Sequence, residues 1–333
     1  MLERVTKTAR EHEMFAAGDL VLVSCSGGPD SVCLLYSLWH LRRLFKVRLA
    51  VFHFDHKLRS DSAKDAVYVR GLAERMTLPL HLRQAEDGPR KGVSVEAWAT
   101  VARMNAANDV RREIGSAATA EGHTLTDQAE TVLLNLTRGS GLEGIVGIDP
   151  GHGERSRLVQ PLFDVERADV EAFCRSLHLR PRRDPMNDDP RYLRAAIRHE
   201  VLPFFERATG RGVARSIART AELLRADSDE LAAGAVIAYR DTVDGDRGSS
   251  VRFDAAKLRA LPPSVASRVI RLAAYHVLSE DRAAPWSKSA IDAVLDLARG
   301  RPGRRRDLAE GLKAIRDKGY VHVSRSSPTS PES

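Results

Sequence analysis

Ser26-Gly27-Gly28-Pro29-Asp30-Ser31 is the stretch of this chain best suited to hold a phosphate. Two glycines let the backbone come close to a ligand, and Pro29 suits the first turn of a helix, whose unpaired amides attract anions. The loop lacks the lysine of GxxxxGK[ST] and the spacing of GxGxxG, so it is neither a Walker loop nor a dinucleotide loop. An ordinary Ser/Gly turn between a strand and a helix is the structural alternative. Asp127 and Glu130 stand three residues apart, hence on one face of a helix, where a carboxylate pair can hold a cation or accept its proton. An acidic pair at a helix start also offsets the helix dipole, so a purely structural role stays open. Arg103 offers a planar fork that binds oxyanions bidentately, unless it is simply the polar side of an amphipathic helix. His56 and His123 fall near strand ends, where contact with a nucleotide and a structural hydrogen bond are equal expectations.

The elements that must position these groups alternate. Leu20-Val21-Leu22-Val23 is a short apolar run of the kind a buried parallel strand shows, and Val32, Leu34, Leu35 and Leu38 follow the loop at helical spacing. Arg48 to His53 reads as a second strand, Asp61 to Met76 as a helix, and Pro79 to Arg83 as a third strand. Ser94 caps a helix running to about Ile114, with Glu96 in its first turn. Ala117 to Ala120 is a weak strand and Asp127 to Arg138 a helix. This pattern predicts an α/β fold with a doubly wound parallel sheet and a ligand at the carboxyl ends of its strands. Leu158 to Phe163 reads as a further strand and Glu166 to Leu177 as a helix. Residues 1–180 are thus expected to form a nucleotide domain and residues 181–243 a helical linker. Asp244 to Ser250 reads as a flexible link into a small α+β domain over 251–325. The tail, 326–333, is disordered by composition.

The 333 residues carry a net charge of +7, with 43% hydrophobic and 29% charged residues. No apolar run approaches the roughly 20 residues of a membrane span. The first helix candidate lacks the apolar core of a signal peptide, so a cytoplasmic location is expected. Cys25, Cys33 and Cys174 show no CxxC spacing, which argues against a disulfide framework or a cluster site. From Arg180 to Arg225 eleven Arg face six acids, and from Arg299 to Lys318 eight basic residues face three acids, leaving about −3 for the rest. A basic second half suits a polyanion such as RNA, with a solvated Arg-rich surface as the alternative.

SGGPDS resembles the signature of the PP-loop ATP pyrophosphatases. Further segments, in order, resemble one PP-loop family, the tRNA(Ile)-lysidine synthetases: FDHKLRSDS (54–62), SVEAWATVARMN (94–105), GHTLTDQAET (122–131), RGSGLEG (138–144), DPMNDDPRYLRAAIRHEVLP (184–203) and GRRRDLAEGLKAIRDKGYVHV (303–323). Thr126, Gln160, Met186 and Ala195 depart from the residues usual there, whereas Asp127, Glu130, Asn187, Arg194 and Arg198 match. The resemblance implies ATP and Mg²⁺ as cofactors and free L-lysine and a CAU-anticodon tRNA(Ile) as partners. O2 of the wobble cytidine would attack the α-phosphorus, and the lysine amine would then displace AMP at C2. It implies that Ser26, Gly27, Gly28, Pro29, Asp30 and Ser31, with His56 and His123, hold the nucleotide. Asp30 would bind Mg²⁺, Asp127 and Glu130 the lysine ammonium, and Arg103 the phosphate or the adenylated intermediate. Arg194 and Arg198, with Arg304, Arg305 and Arg306, are the expected RNA contacts. A PP-loop tRNA thiolase and a non-catalytic RNA-binding protein are the rival readings, and a homodimer is left open.

Overall fold

Val21, Leu22 and Val23 are all excluded from solvent, the mark of a strand covered on both faces. The computed structural model describes residues 1–59, 61–89, 94–151, 157–182, 193–246, 250–278, 287–308 and 312–325. Helix α1 (Leu2–Glu11) comes first, followed by β1 (Leu20–Ser24), α2 (Pro29–Phe45), β2 (Arg48–Asp55), α3 (Ala63–Met76) and β3 (Leu80–Gln84). Then come α4 (Val95–Glu113), β4 (Ala118–Ala120), α5 (Leu125–Thr137), the single turn α6 (Leu142–Ile145), β5 (Leu158–Val159) and α7 (Arg167–Ser176).

The five strands pair in parallel in the order β3-β2-β1-β4-β5, the α/β doubly wound arrangement that the sequence predicts. Strand alternation divides the core. Val21, Val23, Leu49 and Val51 meet Val32, Leu35 and Leu38 on one side of the sheet, while Leu22, Ala50 and Phe52 meet Ala107 and Val110 of α4 on the other. Cutting a fully buried Leu22 back to Ala would cost about 2–5 kcal/mol. The strand order reverses direction between β1 and β4, so a crevice opens beyond their carboxyl ends. SGGPDS follows β1, and Glu121-Gly122-His123 follows β4.

The strand expected over Leu158 to Phe163 is only two residues long. Pro161 cannot donate to a ladder, and Phe163 N–H instead closes a turn on Gln160 O at 3.0 Å. After residue 192 the chain forms α8 (Leu193–Ala196), a π-helical turn (Ile197–Val201), α9 (Leu202–Thr209) and α10 (Val213–Thr242). Pro203 has no N–H to offer the carbonyl of His199, which accounts for the widened turn just before it.

The chain divides into two compact units, Met1–Leu224 and the part from Arg225 onward. The second unit contains β6 (Val243–Asp246), β7 (Ser250–Asp254), α11 (Ala255–Ala260), α12 (Pro263–Leu278), α13 (Lys288–Arg299), β8 (Arg305–Asp307), β9 (Leu312–Arg316) and β10 (Tyr320–Arg325). Its strands form an antiparallel sheet in the order β6-β7-β10-β9-β8. Val251, Phe253, Leu312, Ala314, Val321 and Val323 alternate inward against α12 and α13. The flexible link expected over Asp244 to Ser250 is instead largely a hairpin: Val243 pairs with Phe253 and Asp246 with Val251. Polar turn composition hid the pairing that flanks it. The 326–333 tail, and the motif positions Asp184, Met186 and Asn187, lie outside the described residues.

Candidate functional site

The chain leaves β1 through Gly27, whose φ of +92° suits glycine alone. Gly28 differs: its φ is −73°, and a Cβ there would meet only Ser26 Oγ, at 3.4 Å. Its missing side chain therefore serves room in front of the loop rather than backbone strain. Ser31 organises the turn. Its Oγ accepts the N–H groups of Ser26 at 3.1 Å and Gly27 at 3.2 Å and donates to Gly28 O at 3.0 Å. With Pro29 at its head, α2 points the N–H groups of its first turn at the same space. Gly122 is a close approach that the sequence reading missed: a Cβ there would lie 3.0 Å from the Asp30 carbonyl.

Asp30 sits in the first turn of α2. Its Oδ1 is buried with no hydrogen-bond partner among the described residues, and its Oδ2 lies 3.4 Å from Arg167 Nη1. Burial pushes the carboxyl up to about 6, against the pull of Arg167 and with Asp127 adding to the rise. An orphaned buried carboxylate oxygen beside a phosphate cradle fits Mg²⁺, which takes one or two carboxylates and completes its shell with phosphate oxygens and water. Among the described residues no three His, Cys, Asp or Glu gather to hold a metal by themselves.

The loop forms one wall of a cleft of about 760 Å³, a size suited to a nucleotide-class ligand. His53, His56, Arg103, Glu121, His123, Asp127, Arg167, Arg194 and Arg198 line the rest of it. The structure thus brings most of the expected site residues into one place. Arg304, Arg305 and Arg306 are exposed at the edge strand β8 of the second unit.

Local sequence explains the placement of Asp127. Thr124 and Asp127 form a capping box at the start of α5: Asp127 Oδ2 accepts Thr124 N–H at 2.9 Å and Thr124 Oγ1–H at 2.7 Å. The structural role left open for this acid is therefore real, but it uses one oxygen only. Oδ1 faces Arg198 Nη2 at 3.2 Å. Burial alone would raise the Asp127 carboxyl, yet His123, the two Thr124 hydrogen bonds and Arg198 together hold it below the usual range. Glu130 is wholly buried. Its oxygens accept from Arg198 Nε at 2.5 Å and Nη2 at 2.7 Å, and Arg194 Nε lies 3.4 Å away. Burial raises the Glu130 carboxyl against the pull of Arg198.

Several expected contacts are thus already engaged. Arg194 and Arg198, read as RNA contacts, both reach the α5 carboxylates, and Arg194 Nη2 also donates to Thr131 Oγ1 at 2.9 Å. Arg103 pairs with Glu121, a buried acid at the end of β4. His123 Nδ1 lies 3.1 Å from Gln160 Oε1, which gives Gln160 a positioning role. Thr126 turns its hydroxyl to the N–H of Arg167 at 3.3 Å, at the start of α7. His56 stacks edge-on against Phe54 with ring centroids 4.8 Å apart. The sequence reading missed His53, Glu121 and Arg167. His53 is 3% exposed, its Nδ1 2.8 Å from Cys25 O and its Nε2 without a hydrogen-bond partner among the described residues. Its place in the strand pattern RLAVFH was the only available signal.

A PP-loop domain family matches residues 2–205. A tRNA(Ile)-lysidine synthase of Symbiobacterium thermophilum is 35% identical over 98% of this chain and 70% of its own length. One from Leifsonia xyli is 36% identical over 94% of this chain and 92% of its own, and one from Clostridioides difficile is 31% identical, with 61% of its length covered. Among solved structures, the U34-tRNA thiolase NcsA of Methanococcus maripaludis, with its [4Fe-4S] cluster, superposes with a TM-score of 0.57 at 19% identity. That match covers 67% of this chain and 78% of the thiolase, and it carries the fold alone.

Proposed function

The chain belongs to the tRNA(Ile)-lysidine synthase family of PP-loop ligases, and from that premise we propose that it joins free L-lysine to C2 of the wobble cytidine of a CAU-anticodon tRNA(Ile). The observation that carries this reading is the shared cleft, which is lined both by the SGGPDS cradle and by Asp127, whose Oδ1 accepts from Arg198 Nη2 at 3.2 Å.

In the first step, the loop and the start of α2 hold the triphosphate of ATP, with Gly28 leaving room for it. Asp30 would hold Mg²⁺, which offsets phosphate charge when bound. Cytidine O2 attacks the α-phosphorus, the bond to the β-phosphate oxygen breaks, and pyrophosphate leaves. In the second step the ε-amine of lysine attacks C2, the C2–O2 bond breaks, and AMP leaves. A lysine amine has a reference pKa near 10.4, so it arrives charged and must give up a proton. Asp127 Oδ1 is the acceptor best placed to pair with it. Glu130, expected as the second partner, lies beneath Arg198 and acts through that guanidinium.

A thiolase reading draws nothing from the cysteines. Cys25, Cys33 and Cys174 are each buried, and burial pushes their thiols up to about 11, 12 and 11. The test of the proposal is mass analysis of tRNA nucleosides after incubation with ATP and isotopically labelled lysine. A cytidine adduct carrying the label is the expected product; sulfur incorporation, or no lysine-dependent mass change, would overturn it.

A further inference from the structure

Glu130 is fully buried and contributes nothing to the wall of the cleft, whereas Asp127 and Arg198 both line it. Arg198 fills the space between, with two hydrogen bonds to Glu130 and one to Asp127, and its side chain is only 13% exposed. Pulling it away would take both short hydrogen bonds from a wholly buried carboxylate and leave it only Arg194 Nε, 3.4 Å off, which is strongly disfavoured. A substrate cation that pairs with Asp127 must therefore sit beside a guanidinium that stays.

The charges around this point are already balanced. From α2 comes Asp30, from α5 Asp127 and Glu130. Against them stand Arg167 from α7, Arg194 from α8 and Arg198 itself. Glu96 at the rim lies 3.8 Å from Arg194, and the buried Glu121 is paired with Arg103 and 3.6 Å from His123. His199 also lines the cleft. Apart from Glu96 at the rim, the carboxylates among these groups are matched one for one by guanidiniums.

We propose that Arg198 is a positioning residue of the lysine step: fixed by Glu130, it presents a permanent positive charge to the amine at Asp127 and tips that amine toward the free base that attacks C2. The inference rests on the lysine-ligase reading above. A neighbouring cation is a general means of lowering an amine's pKa. Two unit charges about 5 Å apart in an effective dielectric near 20 would give more than two pH units, and the counter-charge of Glu130 reduces this to about one.

The experiment forms adenylated tRNA first, without lysine, then adds saturating lysine across a pH series and follows AMP release in a single turnover. In the wild type the rate rises with pH as the bound amine loses its proton. Arg198→Gln should move that rise about one pH unit upward, and Arg198→Lys should restore the original profile. Glu130→Gln keeps the guanidinium but removes its counter-charge, so the rise should move to lower pH. The two opposite shifts keep the test sound even if one variant folds poorly. A rate lowered by the same factor at every pH would reduce Arg198 to a structural brace. A lower KM for lysine with an unmoved profile would make it a plug that lysine displaces. Either result overturns the proposal. Wild-type enzyme that makes the adenylate but ignores lysine would instead overturn the parent reading, and is recognised before any variant is examined.

Discussion

Replacing Asp30 with Asn should make the ligand-free protein more stable at neutral pH while ending its chemistry. The native carboxyl is pushed up to about 6 from an ordinary value of 3.8, so its ionised form is disfavoured by folding. Stability gained from the protonated form is complete below about pH 4 and is lost as pH rises through 6. The gap of about two units corresponds to roughly 3 kcal/mol in all, and roughly 1 kcal/mol of it falls between pH 5 and pH 8. An asparagine carries no such titration. The melting temperature of Asp30→Asn should therefore gain about 2–4 °C on that of the wild type between pH 5 and pH 8. Differential scanning calorimetry without nucleotide gives the comparison, and the relevant transition is the one that ATP shifts upward in the wild type. Product formation by the variant should be lost at every pH, since the orphaned Oδ1 is the oxygen that fits Mg²⁺. A difference that stays constant with pH, or turns toward the wild type at pH 8, would refute the reasoning. Arg167 would then compensate the charge in full.

Gly28→Val should abolish ATP-dependent product formation with little change in melting temperature, because the backbone there is unstrained; AMP and pyrophosphate should be the wild-type products, and ADP with orthophosphate would refute a PP-loop reaction. Asp127→Asn should slow the lysine step by about 10²–10⁴-fold in single-turnover assays and adenylation far less; equal losses would assign Asp127 to adenylation. Thr126→Ala should cost only about 1 kcal/mol by denaturant titration, the worth of a hydroxyl at a helix start, and should leave the lysine step intact. Reversing the charges of Arg304, Arg305 and Arg306 should weaken tRNA binding and flatten its log–log salt dependence by roughly 0.7–0.9 for each lost phosphate contact; an unchanged slope would make that edge a solvated surface.

The phosphate loop and its sheet were legible because each rests on local chemistry. A buried run such as Leu20 to Val23, a Gly-Gly turn and a proline at a helix head act within a few residues, and their order along the chain fixes the topology. The capping box is just as local, Thr124 and Asp127 being three apart, but a helix expected to begin at Asp127 left Thr124 outside it and the cap unread. What escaped depends on partners far away in the chain. Nothing near Gly122 announces that its backbone lies against Asp30, and Arg167 looks like any arginine at a helix start until α7 sets it beside the loop.

Charge patterning shows the same limit more sharply. Counting residues gave the stretch from Arg180 to Arg225 a surplus of +5 and suggested a grip for RNA. The structure withdraws several of those charges. Arg194 and Arg198 are held by carboxylates of α5, Arg198 across 68 residues of sequence, and Arg182 pairs with Asp65. A paired, half-buried guanidinium holds no counterion for RNA to release, so it adds nothing to the salt dependence of binding. Formal charge overstates the reach of this stretch toward a polyanion. Among the described residues no ion pair holds the exposed Arg304, Arg305 and Arg306, so the salt experiment belongs there and the pH experiment at Arg198.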